Sequence, residues 1–255
     1  MNLQKSQNAK PTPWLIQCGV WLKILLHVIS GVFILCVIFP FSSDHHKEHH
    51  IQNWSKKLLR IFRIEHIVVG GQTLSATPYL QVSNHISWLD IHVINAFRPI
   101  RFIAKSEVAA WPIFGWMAKQ LGTVFIRRDS SRHARQVVGQ VGNLLKTESI
   151  CLFPEGTSTI GDHVLPFKSN LFESAALAKI PVYPVAIQYI SKVTGERDYS
   201  PAFVGDMGLL ESMSAVIKNR HLRAQLTVLE PIYSVSGLDR KELALYCQEA
   251  ISQTL

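Results

Sequence analysis

The feature that most constrains the fold is an alternation of short β-branched runs and helical segments from residue 65 onward. The predicted strands are residues 65–69, 79–82, 100–104, 124–127, 150–153, 182–188 and 222–229. The predicted helices are residues 87–97, 111–120, 132–146, 170–179 and 240–252. This alternation indicates an α/β fold, with a mostly parallel mixed sheet flanked by helices and a functional site beyond the carboxyl ends of strands.

The front of the chain has a different pattern. Residues 14–41 are almost wholly apolar, with one lysine and one histidine as the main interruptions. The uninterrupted core, residues 24–39, is shorter than the ~20 residues that normally cross a bilayer, so it predicts a membrane-spanning helix or a re-entrant, interfacial one. The chain is 47% hydrophobic and only 17% charged, which favours membrane attachment. We therefore predict an N-terminal helical membrane anchor over residues 1–64 and an α/β domain over residues 65–255.

Residues 51–64 alternate apolar and basic side chains at helical spacing. A basic amphipathic helix suits a membrane surface, although an ordinary helix packed on the next domain has the same pattern. More basic residues follow the apolar run than precede it. By the positive-inside rule, this predicts that the bulk of the chain lies at the cytoplasmic face of the cell membrane. We expect that membrane to be the inner membrane of a bacterium.

Four histidines lie close together between residues 44 and 50. The cluster lacks the fixed spacing and the second carboxylate group of a defined metal site. A polar cap at the headgroup level of a membrane is the better explanation, and no metal site is predicted.

The charge balance limits the partners. The chain carries 26 Lys and Arg residues against 18 Asp and Glu, for a formal net charge of +8 at pH 7. This balance fits an anionic membrane surface, an acidic carrier protein or nucleic acid. No zinc finger, KH loop or aromatic RNA-binding strand is present, so nucleic acid is not an expected partner. The four cysteines form no CxxC pair and are predicted to be reduced and buried in a cytosol-facing protein.

The sequence V-S-N-H-I-S-W-L-D, residues 82–90, places His85 on a corner after a predicted strand and Asp90 in the first turn of a helix. Five positions along an unbroken helix would hold the two side chains roughly 140° apart, but the corner removes that obstacle. Asp90 could then bind one imidazole nitrogen and leave the other to act as a general base. Alternatively, Ser87-x-x-Asp90 is a capping box and His85 is only a turn residue.

Three further stretches lie at the ends of predicted strands. Residues 122–128 bring arginines to the carboxyl end of a strand, where they could hold an anion or remain solvated. Residues 151–158 break at a proline into a loop whose Glu155 could anchor a hydroxyl-bearing substrate, position an arginine or form a loop salt bridge. Residues 180–186 contain Pro184, which predicts an edge strand or a bulge. Lys105, also at a strand end, is a second candidate for a phosphate contact or a solvated lysine.

In this order, the four stretches resemble the glycerolipid and lysophospholipid acyltransferase family, which is typified by 1-acylglycerol-3-phosphate O-acyltransferases. The family blocks N-H-x-x-x-x-D, G-x-x-F-I-x-R, F-P-E-G-T-R-S and V-x-P-V match, respectively, Asn84, His85 and Asp90; Gly122, Phe125, Ile126 and Arg128; Phe153 to Thr157; and Val182, Pro184 and Val185. The chain departs at Ser158, where the family has arginine. The resemblance spans residues 65–229 and also implies an N-terminal helical membrane anchor.

The resemblance implies transfer of a fatty acyl group from a thioester donor, acyl-CoA or acyl carrier protein, to the free hydroxyl of a lysolipid, without another cofactor. His85 would take the hydroxyl proton and Asp90 would orient its ring. Substrate-binding residues implied by the matched blocks are Arg128, for the anionic headgroup, with Glu155, Gly156, Thr157 and Gly122. Cys151 lies in an apolar strand and is predicted to be buried rather than nucleophilic.

The departure at Ser158 bears on the acceptor. A neutral hydrogen bond is about half as strong as a charge-assisted one, so the pocket should hold a phosphate monoester less well than an arginine-bearing relative. The family favours 1-acylglycerol-3-phosphate as the acceptor, with a less anionic lysolipid such as lyso-ornithine lipid as the alternative. A membrane-attached hydrolase or thioesterase is another alternative, but the sequence contains no G-x-S-x-G nucleophile elbow. A scaffolding protein would leave the histidine–carboxylate pair unexplained.

Overall fold

The computed structural model describes residues 12–74, 78–126, 131–233 and 237–255. The helices within these residues are α1 (Trp14–Phe33), α2 (Asp44–Ile61), α3 (Leu89–Phe97), α4 (Phe114–Gln120), α5 (Ser131–Leu144), α6 (Phe172–Ala178), α7 (Leu209–Lys218) and α8 (Arg240–Ser252). The strands are β1 (Glu65–Val69), β2 (Leu80–Ser83), β3 (Arg101–Lys105), β4 (Val124–Ile126), β5 (Ile150–Leu152), β6 (Pro181–Ser191), β7 (Leu222–Val228) and β8 (Ile232–Tyr233). Of these, α7 and β8 were not predicted.

The strands form one mixed sheet in the order β1-β7-β6-β2-β5-β3-β4, with β8 beside β6. Neighbouring strands from β6 through β2, β5 and β3 to β4 are parallel, and β1 is parallel to β7. Strands β7 and β8 run antiparallel to β6. The predicted α/β fold, with a mostly parallel mixed sheet flanked by helices, is confirmed.

The carboxyl ends of β2, β3, β5 and β6 lie on the same side of the sheet. We call this row of strand ends the site edge. Strand β7 is antiparallel to β6, with Leu222 opposite Ser191. Strand β1 is parallel to β7, with Glu65 opposite Arg223. The amino ends of β1 and β7 therefore lie at the site edge too, beside the loops that leave the parallel strands.

Two apolar clusters cover the two faces of the sheet. The first packs α2, α3 and α7 against the sheet and includes Leu89. The second packs α5, α6 and α8 against the other face and includes Val141, Leu80 and Val82. Since side chains alternate along a strand, β2 directs Ser83 and the residues in phase with it toward the first face, where α3 lies.

Helix α1 continues through a π-helical turn, Ile34–Ile38, and a 3₁₀ turn, Phe39–Phe41, that contains Pro40. The whole stretch, Trp14–Phe41, is long and apolar enough to cross a membrane by length and composition. Ile24 packs into the first apolar cluster. Large apolar side chains on the rest of α1 are exposed, among them Leu22, Leu25, Leu26, Ile29 and Phe33.

Helix α2 begins at Asp44, before the predicted start at residue 51, and therefore contains the histidine cluster. Its Leu58 and Leu59 are buried in the first apolar cluster, while Lys57 and Arg60 are exposed. The helix thus packs on the α/β domain and keeps its basic face open. Within the described residues, no group of three or more His, Cys, Asp or Glu side chains could hold a metal ion.

Pro184 lies in β6, an interior strand, so the prediction of an edge strand is wrong. Strand β8 pairs with β6 at Pro181 and Val182, and β7 begins to pair at Val185. Pro184 lies between these two ladders, and its carbonyl accepts from the Leu229 amide over 3.0 Å. The gap between the ladders needs no N–H from residue 184, which is why proline is tolerated there.

The burial predicted for the cysteines holds for two of them. Cys151 and Cys247 are buried, whereas Cys18 and Cys36 are exposed. The exposed pair lies on the N-terminal apolar stretch, whose surface faces away from the sheet, so the general burial preference of cysteine does not apply to it.

Candidate active site

The corner that carries His85 is fixed to β6 by the side chain of Asn84. Asn84 Oδ1 accepts from the Ile187 amide over 2.8 Å, and Asn84 Nδ2 donates to the Ile187 carbonyl over 3.0 Å. Asn84 is buried, so both halves of its amide are satisfied by backbone. The asparagine of the N-H-x-x-x-x-D block thus holds the end of β2 in register with its neighbour.

Asp90 is fully buried and receives four hydrogen bonds. Its Oδ2 accepts from His85 Nδ1 over 2.8 Å and from the amides of Ile86 and Ser87 over 2.7 and 2.9 Å. Its Oδ1 accepts from the Tyr189 hydroxyl over 2.8 Å. A buried carboxylate needs such donors to stay ionised. Asp90 therefore binds His85, as the first interpretation requires, and also accepts from the Ser87 amide, which is one half of a capping box. The role of His85 as a general base stays a prediction.

His85 has one nitrogen held and one open. Asp90 can only accept at Oδ2, so Nδ1 carries the ring proton and Nε2 carries the lone pair. Nε2 has no hydrogen-bond partner among the described residues, and 23% of the side chain is exposed. The ring stacks on Phe153, with centroids 4.2 Å apart and planes inclined by 20°. This geometry suits proton abstraction by Nε2.

Glu155 joins two loops near His85 through hydrogen bonds to their backbone. Its Oε1 accepts from the His85 amide over 2.7 Å and its Oε2 accepts from the Leu165 amide over 2.8 Å. The Thr159 amide donates to the His85 carbonyl over 2.9 Å. Burial raises the pKa of Glu155, and the two backbone donors oppose that shift. Both carboxylate oxygens are engaged by backbone, which supports a positioning role for Glu155 rather than direct contact with substrate.

The loop after Glu155 carries two of the other predicted substrate-binding residues. Gly156 has a φ of +74°, a left-handed conformation that a side chain would strain. Thr157 is exposed beside it and is open to a ligand. Ser158 donates its hydroxyl hydrogen to the Phe203 carbonyl, and the Phe203 amide donates to the Ile86 carbonyl over 2.9 Å. The residue that replaces the family's arginine is therefore bound to the backbone next to the corner that carries His85.

Cys151 is buried in β5 and receives a hydrogen bond from Gln81 Nε2 over 3.7 Å. Burial, reinforced by the nearby Asp90 carboxylate, raises the pKa of the Cys151 thiol well above its ordinary value. The thiolate is the nucleophilic form of cysteine. The structure therefore gives no support to Cys151 as a nucleophile.

The remaining predicted residues are placed apart. Lys105 is exposed at the carboxyl end of β3, on the site edge. Gly122, with a φ of +75°, precedes β4 at the opposite edge. A Cβ there would lie 2.9 Å from the guanidinium carbon of Arg101, which pairs with Glu148 over 2.8 Å. Gly122 is thus not brought together with His85. Arg127 and Arg128 lie outside the described residues.

Tyr189 is the site residue that sequence reasoning missed. It follows Val185 and Ile187 on the same face of β6, and all three are buried in the first apolar cluster. The sequence signal was the alternation of large apolar side chains at every second position, which continues beyond residue 188, where the predicted strand ended. Alternation alone marks Tyr189 as a core residue, and its bond to Asp90 spans 99 positions of sequence.

Comparison with known proteins identifies the family. The family model described as Acyltransferase matches residues 46–188, which is more than half of the chain. The chain belongs to the acyltransferase family. This acyltransferase is 40% identical, over 79% of its length and 76% of the relative, to a lyso-ornithine lipid O-acyltransferase of Pseudomonas aeruginosa. It is 34% identical, over 68% of its length and 67% of the relative, to a 1-acyl-sn-glycerol-3-phosphate acyltransferase of Neisseria gonorrhoeae.

The fold is shared with a solved structure. The crystal structure of the 1-acyl-sn-glycerophosphate (LPA) acyltransferase PlsC from Thermotoga maritima matches with a TM-score of 0.68. The match covers 94% of this acyltransferase and 93% of that chain, at 23% sequence identity. At this identity the likeness concerns the fold, including the arrangement of the sheet and its flanking helices.

Proposed function

We propose that this acyltransferase is a membrane-bound enzyme that transfers a fatty acyl group from acyl-CoA or acyl carrier protein to the free hydroxyl of lyso-ornithine lipid. 1-Acylglycerol-3-phosphate, which would give phosphatidic acid, is the second candidate acceptor. The observation that supports the chemistry is His85, whose Nδ1 is bound by buried Asp90 while Nε2 is open. The acyl donor is a co-substrate, and the proposed reaction needs no further cofactor.

In the proposed reaction, His85 Nε2 takes the proton of the acceptor hydroxyl as its oxygen attacks the thioester carbonyl. A new C–O bond forms, and the C–S bond breaks when the tetrahedral intermediate collapses. The imidazolium then returns the proton to the leaving thiolate, so His85 ends in its starting state. The Asp90 carboxylate holds Nδ1 and stabilises the imidazolium. Direct transfer between the two substrates requires no acyl-enzyme.

The preference for lyso-ornithine lipid rests on position 158. A phosphate monoester carries close to two negative charges and is best held by more than one cation. Ser158 provides no charge, and its hydroxyl donor is used by the Phe203 carbonyl. Relatives named lyso-ornithine lipid O-acyltransferase, including one from Brucella abortus that is 33% identical over 88% of this chain and 90% of its own, support the same acceptor. Arg128 is the residue we propose for the acceptor's negative group.

The test is an acceptor panel with purified protein in neutral detergent and one labelled acyl donor. We expect labelled ornithine lipid to form faster than labelled phosphatidic acid, and His85→Ala to form neither. A strong preference for lysophosphatidic acid would reverse the order of the two acceptors. Release of labelled free fatty acid, without a new diacyl lipid, would show that the enzyme is a hydrolase and not an acyltransferase of these lipids.

A further inference from the structure

A cleft of about 330 Å³ lies between α1, the carboxyl end of α2 and the loop before β7. Five cationic side chains line it: Lys23, Lys57, Arg60, Arg63 and Arg220. The other lining residues are glycine or apolar and include Ile16 and Val20 of α1. None of the lining residues is acidic, so the cleft concentrates positive charge next to an apolar helix surface.

The five cations lack the partners that cations of a folded protein often find. Within the described residues, none of them forms an ion pair with a carboxylate within 4.0 Å. Arg220 Nε is buried and has no hydrogen-bond partner in the part of the chain that the structure describes. A buried donor without an acceptor costs free energy that a bound anion would recover.

Arg63 adds a conformational observation. It has a φ of +58°, a left-handed conformation that is uncommon for residues other than glycine, and it follows Phe62, the C-cap residue of α2, at a position where glycine is usual. The negative end of the α2 dipole attracts cations, which accounts in part for Arg60 and Arg63. It does not account for Lys23, on α1, or for Arg220, before β7. Cationic side chains from elements that are distant in sequence therefore lie around one cleft.

We infer that this cleft binds the phosphate of an anionic phospholipid, with the acyl chains of the lipid along the exposed apolar side of α1. Arginine forks suit phosphate oxygens, and the adjoining apolar side chains suit hydrocarbon. None of the described residues that line the cleft forms a hydrogen bond or a ring contact with His85 or Asp90, so this lipid would be a bound neighbour rather than the acyl acceptor.

The position of the cleft suggests that a bound phospholipid would set the level of the site edge relative to the membrane surface. Arg63 leads into β1 and Arg220 precedes β7, and the amino ends of both strands lie at the site edge. A phosphate held there would place the site edge at the level of the lipid headgroups. The hydroxyl of a lysolipid in the same leaflet would then lie at a height from which His85 can be reached.

The experiment uses the full chain in neutral maltoside micelles doped with phosphatidylglycerol, and follows the rise in melting temperature as lipid is added. Parallel arms use phosphatidylcholine, whose phosphate sits in a zwitterionic headgroup, and inorganic phosphate alone. The variant is Lys57→Gln with Arg60→Gln, both exposed. The matched control is Lys56→Gln, the same change on the adjacent residue of α2, which does not line the cleft.

We expect phosphatidylglycerol to stabilise the wild type and the control, with affinity ~10-fold weaker in the double variant because two charge-assisted contacts are lost. Acyl transfer in micelles without phosphatidylglycerol should be unchanged in the double variant, which separates this site from the proposed reaction. Equal stabilisation by phosphatidylcholine, or equal weakening in Lys56→Gln, would overturn the inference. Saturation by inorganic phosphate at the same concentration would overturn the lipid as the ligand.

Discussion

Tyr189 donates its hydroxyl hydrogen to Asp90 Oδ1, the carboxylate oxygen that His85 does not use, over 2.8 Å. Burial raises the pKa of Tyr189 well above its ordinary value, and the Asp90 charge adds to that shift. The hydroxyl therefore stays protonated and acts as a fixed donor. It binds the carboxylate oxygen that His85 leaves unused, although it lies on a different element from either residue.

Replacing Tyr189 with phenylalanine should leave one buried carboxylate oxygen without its donor. We expect the free energy of unfolding to fall by about 1–3 kcal/mol and kcat to fall more than KM changes, because the orientation of His85 is affected. Tyr183→Phe is the matched control, since it removes a buried hydroxyl from the same strand. Equal effects of both variants on kcat would show that Tyr189 contributes only to packing.

Replacing His85 with alanine should lower the rate of acyl transfer by ~10²–10⁴-fold, the usual contribution of general base catalysis. The melting temperature should fall only modestly, because Asp90 Oδ2 keeps the amide donors of Ile86 and Ser87 when the imidazole is removed. Asp90→Asn should retain some activity but lose stability, since an amide nitrogen would face donors that now meet carboxylate oxygens. Initial rates and thermal melting of both variants check this. Near-normal activity in His85→Ala, with unchanged melting, would remove His85 from the mechanism.

Replacing Ser158 with arginine should shift acceptor preference toward 1-acylglycerol-3-phosphate. The new guanidinium would lie next to the catalytic corner, where Phe203 now receives the serine hydroxyl. The measurement is the ratio of kcat/KM for the two acceptors, and Ser158→Gln controls for side-chain size without charge. We expect a gain of about tenfold in the ratio for arginine, one charge-assisted contact, and little for glutamine. An unchanged ratio in Ser158→Arg would mean that position 158 does not contact the headgroup.

Stability should depend on pH through Glu155. Burial raises its pKa in the folded protein above the ordinary value of 4.5 that applies to the unfolded chain. Between these two values the folded state binds more protons, so the stability contributed by this group is lost as pH rises through that window. Glu155→Gln should flatten this slope in denaturant unfolding measured at a series of pH values. Glu196→Gln, at an exposed position, should leave the slope as it is; a wild-type slope in Glu155→Gln would contradict the assignment.

Membrane attachment should depend on the exposed side of α1. Changing Leu22, Leu25 and Leu26 together to glutamine should move the protein out of the membrane fraction, since each exposed leucine is worth about 1.5–3 kcal/mol when buried in hydrocarbon. The same three changes to methionine keep the surface apolar and serve as the control. Deleting the region is a poorer test, because Ile24 and Leu58 belong to the first apolar cluster. Retention of the glutamine variant after salt and carbonate washes would place the attachment elsewhere.

The parts of the fold that sequence could predict are those that local rules determine. The alternation of strands and helices was sufficient for the α/β fold. Helix α8 was predicted with its observed bounds, Arg240–Ser252, and Asp239 forms a capping box with Glu242 at its start. Helix α7 also had a signal, since Leu209, Met213, Val216 and Ile217 follow helical spacing, but that signal was not used.

The parts that could not be predicted depend on contacts between distant residues. The tolerance of Pro184 in an interior strand depends on where β8 ends and β7 begins, which no local pattern reveals. The engagement of both Glu155 oxygens joins the His85 amide to that of Leu165 across a loop. Sequence blocks show which residues recur together, but not on which side of the sheet each one lies.

The connection between α2 and β1 consists of residues 62–64, and both Phe62 and Ile64 are buried. A connection this short and this well packed provides no hinge. With α1 seated in a bilayer, as we propose, and Ile24 of α1 packed into the first apolar cluster, the height of His85 relative to α1 would be fixed. Lysolipids would arrive by lateral diffusion, so turnover should follow the surface density of the lysolipid in the leaflet rather than its concentration in bulk solution.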